Sequence, residues 1–277
     1  MWTAHEIRDR LEDLKNKFHF RLPQMQTLLC QERFLLRLYH LKEGKNYIWK
    51  GGSLLVRRYQ PANQKPRFTV DIDLEALKIS ISKTESIFKK AMNVDLKDGF
   101  RFSNLSRDTM KRDTPYGGER FSIEWSLFKK HQSESLKIDV CSGDSIKPES
   151  VKASELCIIE DISNISFRVY PPEFIFAEKL ETIVRFGTGN TRVKDFIDID
   201  ILINSGLNTR KLKKAVKMCF ECRGRDFQVK ELLNILNDRD FTNILGEVLK
   251  NKREYKKLDL PDMKNLLKNI KHQINQI

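Results

Sequence analysis

The sequence predicts an α+β protein. Residues 1–170 form an N-terminal domain of helices and a mixed sheet, and residues 171–277 form a basic helical domain. Three observations carry this reading. Stretches with apolar–polar alternation, such as FTVDIDL and RFSIEWSLF, all precede Tyr170. A short apolar run, YIWK, feeds directly into a glycine turn and a short helix. After Pro171–Pro172 the apolar residues keep helical spacing to the end, with no convincing strand.

The elements follow in order. Ile7, Leu11 and Leu14 share one stripe and predict a helix over residues 3–18. A second helix covers 23–42, with Pro23 near its start and Gly44 ending it. Tyr47–Lys50 reads as a strand, Gly51–Gly52–Ser53 as its turn, and LLVRRY as a helix that Ser53 caps. QPANQKP is a loop. Phe68–Leu74 alternates as a strand, residues 82–93 are helical, and Phe100–Leu105 is a strand. TPYGGER makes a turn. Arg120–Phe128 and Leu136–Val140 then form an antiparallel pair joined by KKHQSES.

Composition narrows the class. With 40% hydrophobic and 32% charged residues, the 277-residue chain is globular and charge-rich rather than disordered. No apolar run spans a bilayer and the N-terminus lacks a signal-peptide core, so a cytoplasmic protein without membrane contact is expected. Five scattered cysteines suit reduced thiols. Cys219 and Cys222 form a C-x-x-C, but no second pair completes a zinc site, and two small residues on a helix face explain them. The net charge is +13, and from Leu207 onward 17 Lys+Arg face 9 Asp+Glu. Such a basic lobe is the footprint of a nucleic-acid partner, and equally of solvated helix faces.

The chemistry centres on residues 50–73 and one later strand. A strand ending in Gly51–Gly52–Ser53 and entering a helix presents backbone N–H groups to a phosphate, although a plain turn reads the same way. Asp71 and Asp73 lie at i and i+2 of a strand, so both carboxylates project from one face while Val70, Ile72 and Leu74 face the core. A divalent cation relieves their repulsion; solvation on an exposed face is the alternative. Asp139, in LKIDV, adds a third carboxylate if its strand neighbours the first. Three acids and a phosphate-binding turn are the parts of two-metal nucleotidyl transfer, with Mg²⁺ or Mn²⁺ as metal and an NTP as substrate. Asp139 would also accept the proton of the attacking hydroxyl.

This order of G-G-S, D-x-D and a later strand aspartate resembles the DNA polymerase beta nucleotidyltransferase superfamily. KGGSLLVRRY, RFTVDIDLEAL, LKIDV, PEFIFAEKLETIVRF and TRVKDFIDIDIL resemble, more narrowly, the AbiEii/AbiGii toxin family that includes the MenT toxins. The resemblance implies a polymerase-beta-like fold and a site that also contains Lys179, with Arg192, Lys194, Asp195 and Asp198 matching the following family element. It places Lys179, Asp195 and Asp198 with Gly51, Gly52 and Ser53 as nucleotide-binding residues. From the residues alone, Asp195 and Asp198 share a helix face at i, i+3, and a helix–helix salt bridge explains Lys179 as well. Seventeen residues separate Ser53 from Asp71, which is long for the superfamily and leaves the roles of Arg57, Arg58 and Arg67 open.

The resemblance further implies a toxin of a toxin–antitoxin or abortive-infection pair. It would transfer nucleotides from an NTP to RNA, at the tRNA 3′ end, and have a cognate antitoxin protein. Transfer to a protein hydroxyl is the rival within the enzyme class, and a catalytically inactive nucleotide- or RNA-binding protein is the rival outside it. Tyr116 and Trp125 fit either base stacking or a core.

Overall fold

The structure, a computed structural model, describes residues 2–59, 67–109, 118–128, 134–143, 146–159, 161, 164–256, 258 and 260–277. The expected QPANQKP loop, most of the TPYGGER turn with Tyr116, and most of KKHQSES lie outside these residues. The chain divides into two compact units, Met1–Arg58 with Phe68–Tyr170, and Tyr59–Arg67 with Pro171–Ile277.

The first unit opens with α1 (Ala4–Phe18), started by a Thr3/Glu6 capping box, and α2 (Leu22–His40). The strand β1 (Tyr47–Lys50) enters α3 (Gly51–Arg58), followed by β2 (Asp71–Ala76) and α4 (Ile81–Met92). Then come β3 (Phe100–Thr109), β4 (Gly118–Leu127), β5 (Glu134–Cys141), β6 (Glu149–Lys152) and β7 (Ser166–Val169). One mixed sheet takes the order β3-β4-β5-β2-β1-β7-β6. At its centre β2 runs parallel to β5 and antiparallel to β1, and β4 pairs antiparallel with β5. The aromatic residues Trp49, Phe88, Phe121 and Phe167 fill the core around this centre.

α2 is apolar around most of its circumference, so it is buried almost throughout. The charges it carries inward are therefore paired. Arg37 forks onto Asp98 at 2.8 and 2.6 Å. Arg33 meets Glu32 at 2.8 Å and Asp161 at 2.9 Å, and Arg57 of α3 reaches Glu32 at 3.3 Å. Burial pushes the Glu32 carboxyl above the usual range, and the two arginines oppose that rise.

Two expectations need correction, and one open alternative is decided. α2 ends at His40, so Gly44 does not terminate it; Gly44 lies in a 3₁₀ turn, where a methyl group would overlap the Leu38 carbonyl. Regular pairing in β2 starts at Asp71 rather than Phe68, and Val70 is 49% exposed instead of facing the core. Trp125 is buried against Phe100, so it offers no stacking platform for a base.

The second unit contains α5 (Pro172–Phe186), α6 (Val193–Asn204), α7 (Thr209–Cys222), α8 (Val229–Asn237), α9 (Arg239–Asn251) and α10 (Met263–Ile274). Pro172 occupies the first helical position, where its missing N–H costs nothing. Asn208, Asp238 and Asp262 cap α7, α9 and α10 by accepting backbone N–H bonds. Strands are absent from this unit among the described residues, and none of the described helices is long and apolar enough to cross a membrane.

Candidate active site

The register of the central strands builds the site. Lys50 on β1, Asp73 on β2, Asp139 on β5 and Arg120 on β4 are successive partners across four strands. Partners across a ladder share a face, so a cation–acid–acid–cation row crosses the sheet. Asp71 and Glu75 flank Asp73 at i−2 and i+2 and project from that same face. The two strands that bear the D-x-D and the later aspartate are thus parallel neighbours, with Asp73 directly opposite Asp139.

Two cations not singled out from the sequence hold the ends of this row. The Arg120 guanidinium forks onto Asp139, with 2.7 Å for each hydrogen bond, and stands 3.6 Å from Asp71. Its proton is held well above the usual guanidinium range, chiefly by the hydrogen bond to Asp139, with the charges of Asp139, Asp71 and Asp73 adding to it. At the other end Lys50 donates to Glu75 at 2.9 Å and to the Tyr170 hydroxyl at 3.3 Å. Glu75 makes the motif D-x-D-x-E; the sequence shows the spacing, but only burial beside Lys50 gives it meaning.

The glycine turn touches this row. Gly51 has φ +73°, and a methyl group on it would overlap the Asp73 carboxylate. Glycine is therefore required twice, by the backbone and by the close approach. α3 begins at Gly51, so Gly52 and Ser53 lie in its first turn, where backbone N–H groups lack intrahelical acceptors. Ser53 is not the cap expected from the sequence. It lies inside the helix and is fully buried, and its Oγ accepts a 2.8 Å hydrogen bond from Trp49 Nε1.

Within the second unit a distinct charged cluster forms around Lys179 of α5. Its Nζ is 2.6 Å from Asp198 and 3.1 Å from Asp195, both on α6. Arg67 forks onto Asp198 at 3.1 and 2.9 Å, and Arg192 reaches Asp195 at 2.8 Å. Burial alone would raise the Asp198 pKa, but Lys179 and Arg67 outweigh it and bring it down to about 2. Burial likewise disfavours the Lys179 ammonium, and Asp198 and Asp195 overcome it, so Lys179 stays protonated. The three arginines left open by the sequence thus have protein partners: Arg57 holds Glu32, Arg58 pairs with Glu149 at 2.6 Å, and Arg67 holds Asp198.

The donors on the sheet are carboxylate oxygens, which suit Mg²⁺ or Mn²⁺. The position between Asp71 and Asp139 attracts positive charge, since a guanidinium stands there. Among the described residues, no three Asp, Glu, His or Cys side chains are gathered closely enough to ligate one ion.

Comparison with known proteins gives the family and the fold. The model of the nucleotidyl transferase AbiEii toxin family, type IV toxin–antitoxin system, matches residues 33–269. The fold is similar to that of JHP933 from Helicobacter pylori, with a TM-score of 0.51, 15% identity and 90% of each chain covered. It is also similar to a candidate nucleotidyltransferase from H. pylori, with a TM-score of 0.50, 16% identity, and 89% of this chain and 93% of that one covered. At such identities the likeness is one of fold. No curated protein matches the sequence.

Proposed function

Because the chain belongs to the AbiEii nucleotidyltransferase toxin family of type IV toxin–antitoxin systems, we propose that it transfers a nucleotide from an NTP to the 3′ end of tRNA, using a divalent cation. The observation that carries this reading is the pairing of Asp73 with Asp139 on parallel strands, beside the Gly51 turn and with Asp71 on the same face.

In the proposed reaction the acceptor hydroxyl attacks the α-phosphorus of the NTP. A new P–O bond forms and pyrophosphate leaves. Asp71, Asp73 and Asp139 would hold Mg²⁺ or Mn²⁺, which when bound neutralises the triphosphate and the developing charge. Asp139, the least exposed acid of the pair that Arg120 contacts, accepts the hydroxyl proton. Gly51, Gly52 and Ser53 offer the backbone N–H groups of the first turn of α3 to phosphate oxygens. Lys179, kept protonated by Asp195 and Asp198, supplies a phosphate or base contact.

The RNA acceptor is supported by α7, which exposes Arg210, Lys211, Lys213, Lys214 and Lys217 and carries a single acid, Glu221. Such a face binds phosphate backbone without reading sequence. An antitoxin counterpart is implied by the family.

The test is incubation of the purified protein with total tRNA, Mg²⁺ and each labelled NTP in turn, beside Asp71→Ala/Asp73→Ala. Label on tRNA from one NTP, absent with the double variant, is the expected result and names the donor. No label from any NTP, with folded protein that binds nucleotide, would overturn the tRNA assignment and direct the search to protein hydroxyls.

A further inference from the structure

We infer that Arg120 is a resident counter-ion of the acid row, and that its guanidinium must leave Asp71 and Asp139 before these acids can close on a divalent cation. The inference rests on the metal-dependent reading above and gives it a residue the sequence motifs do not contain.

Three observations lead to it. Arg120 is the direct cross-strand partner of Asp139, so the sheet register itself brings it to the acids. It engages both Asp139 oxygens at 2.7 Å and reaches Asp71 at 3.6 Å, so one guanidinium spans two of the three carboxylates. With the guanidinium in place, the described acids form no three-donor set around one position.

The chemistry favours exchange rather than coexistence. A guanidinium is monovalent and directs its fork at one carboxylate plane, while a divalent cation gathers single oxygens from several carboxylates. Both claim the same lone pairs on Asp139. The Arg120 side chain is 36% exposed, so it has water to turn into, whereas Asp139 is 14% exposed and stays where its strand holds it. In the metal-free protein Arg120 offsets the repulsion among Asp71, Asp73 and Asp139. A cation entering the site therefore displaces a bound charge instead of filling an open cage, which lowers affinity for metal alone. Triphosphate oxygens arriving with the metal raise the total attraction and favour loading of metal and nucleotide together.

The probe is Mn²⁺ without nucleotide, followed by the loss of its free-ion electron paramagnetic resonance signal. The proteins are wild type, Arg120→Gln, Arg120→Lys and Asp71→Asn/Asp73→Asn. Thermal melting in EDTA and in Mn²⁺ is the second readout. Arg120→Gln is expected to bind Mn²⁺ at least about tenfold more tightly than wild type, because a like charge at close range is removed. It is also expected to melt lower in EDTA and to recover that deficit in Mn²⁺. Arg120→Lys keeps the charge but loses the fork, so its affinity is expected between the two; should the Gln variant not fold, the Lys variant decides alone. Equal or weaker Mn²⁺ binding by the Arg120 variants, with binding abolished in Asp71→Asn/Asp73→Asn, would overturn the role of Arg120 and leave the metal reading standing. Absence of Mn²⁺ binding in all four proteins would overturn the metal reading and the inference with it.

Discussion

The charges carried by α2 and those carried by β2 and β5 belong to the same unit, yet they are balanced differently. Around α2, Arg33, Arg37 and Arg57 meet Glu32, Asp98 and Asp161, three cations for three acids, most of them fully buried. On the sheet, Asp71, Asp73, Glu75 and Asp139 share one face with Lys50 and Arg120, and Asp71, Asp73 and Asp139 remain partly open to water. Dry and neutral sets hold elements in place, because removal of either partner strands a charge. A set that is partly open to water can exchange one cation for another without stranding a charge in the interior. The difference separates scaffold from site without any reference to relatives.

The comparison breaks first at Arg37–Asp98. Asp98→Ala strands Arg37 in the interior and is expected to cost about 3–5 kcal/mol of stability, read by urea unfolding. A loss below about 1 kcal/mol would place this pair with surface ion pairs and blur the distinction.

The Lys179 cluster sharpens it next. Its acids are buried and paired, as around α2. The Asp198 pKa is depressed from the ordinary 3.8 to about 2, so its contribution is complete above pH 4 and is lost as pH falls toward 2. Asp198→Asn is expected to remove about 2 kcal/mol at neutral pH and to flatten that acid limb. Thermal melts between pH 2 and 7 check both, and an unchanged acid limb would contradict the pairing.

The smallest effect is expected at Arg58–Glu149. Both side chains keep about a quarter to a third of their exposure, so Arg58→Ala should cost under about 1 kcal/mol in the same unfolding assay. Should it instead abolish tRNA labelling while stability holds, Arg58 would move from scaffold to site.

Much of this was legible in the sequence because alternation and glycine have local causes. YIWK–GGS, the D-x-D and LKIDV lie in the elements their patterns indicate, and Asp71, Asp73 and Asp139 share one face of neighbouring strands. Other features depend on pairing, which sequence spacing does not encode. Arg120 lies in a strand whose existence was legible, but its place beside Asp139 needs the β4–β5 register. Lys50 and Glu75 carry no signal of their own in the sequence, and their buried pairing needs the β1–β2 register. β6 and β7, four residues each, are too short for a periodic signal, yet β7 flanks β1. Ser53 reads as a cap because Gly51–Gly52–Ser53 reads as the turn; the positive φ at Gly51 completes the turn there, and the helix starts at once.

The central claim is that the sheet acids act on substrate while the α2 charges act on the fold. The most direct measurement determines melting temperature and NTP-dependent labelling of tRNA together for Asp73→Asn and Asp98→Asn. Asp73→Asn should keep or raise the melting temperature and lose at least about a hundredfold in labelling. Asp98→Asn should melt lower and keep its labelling rate per folded molecule. Labelling that survives Asp73→Asn, or that disappears with Asp98→Asn in protein shown to be folded, would contradict the account.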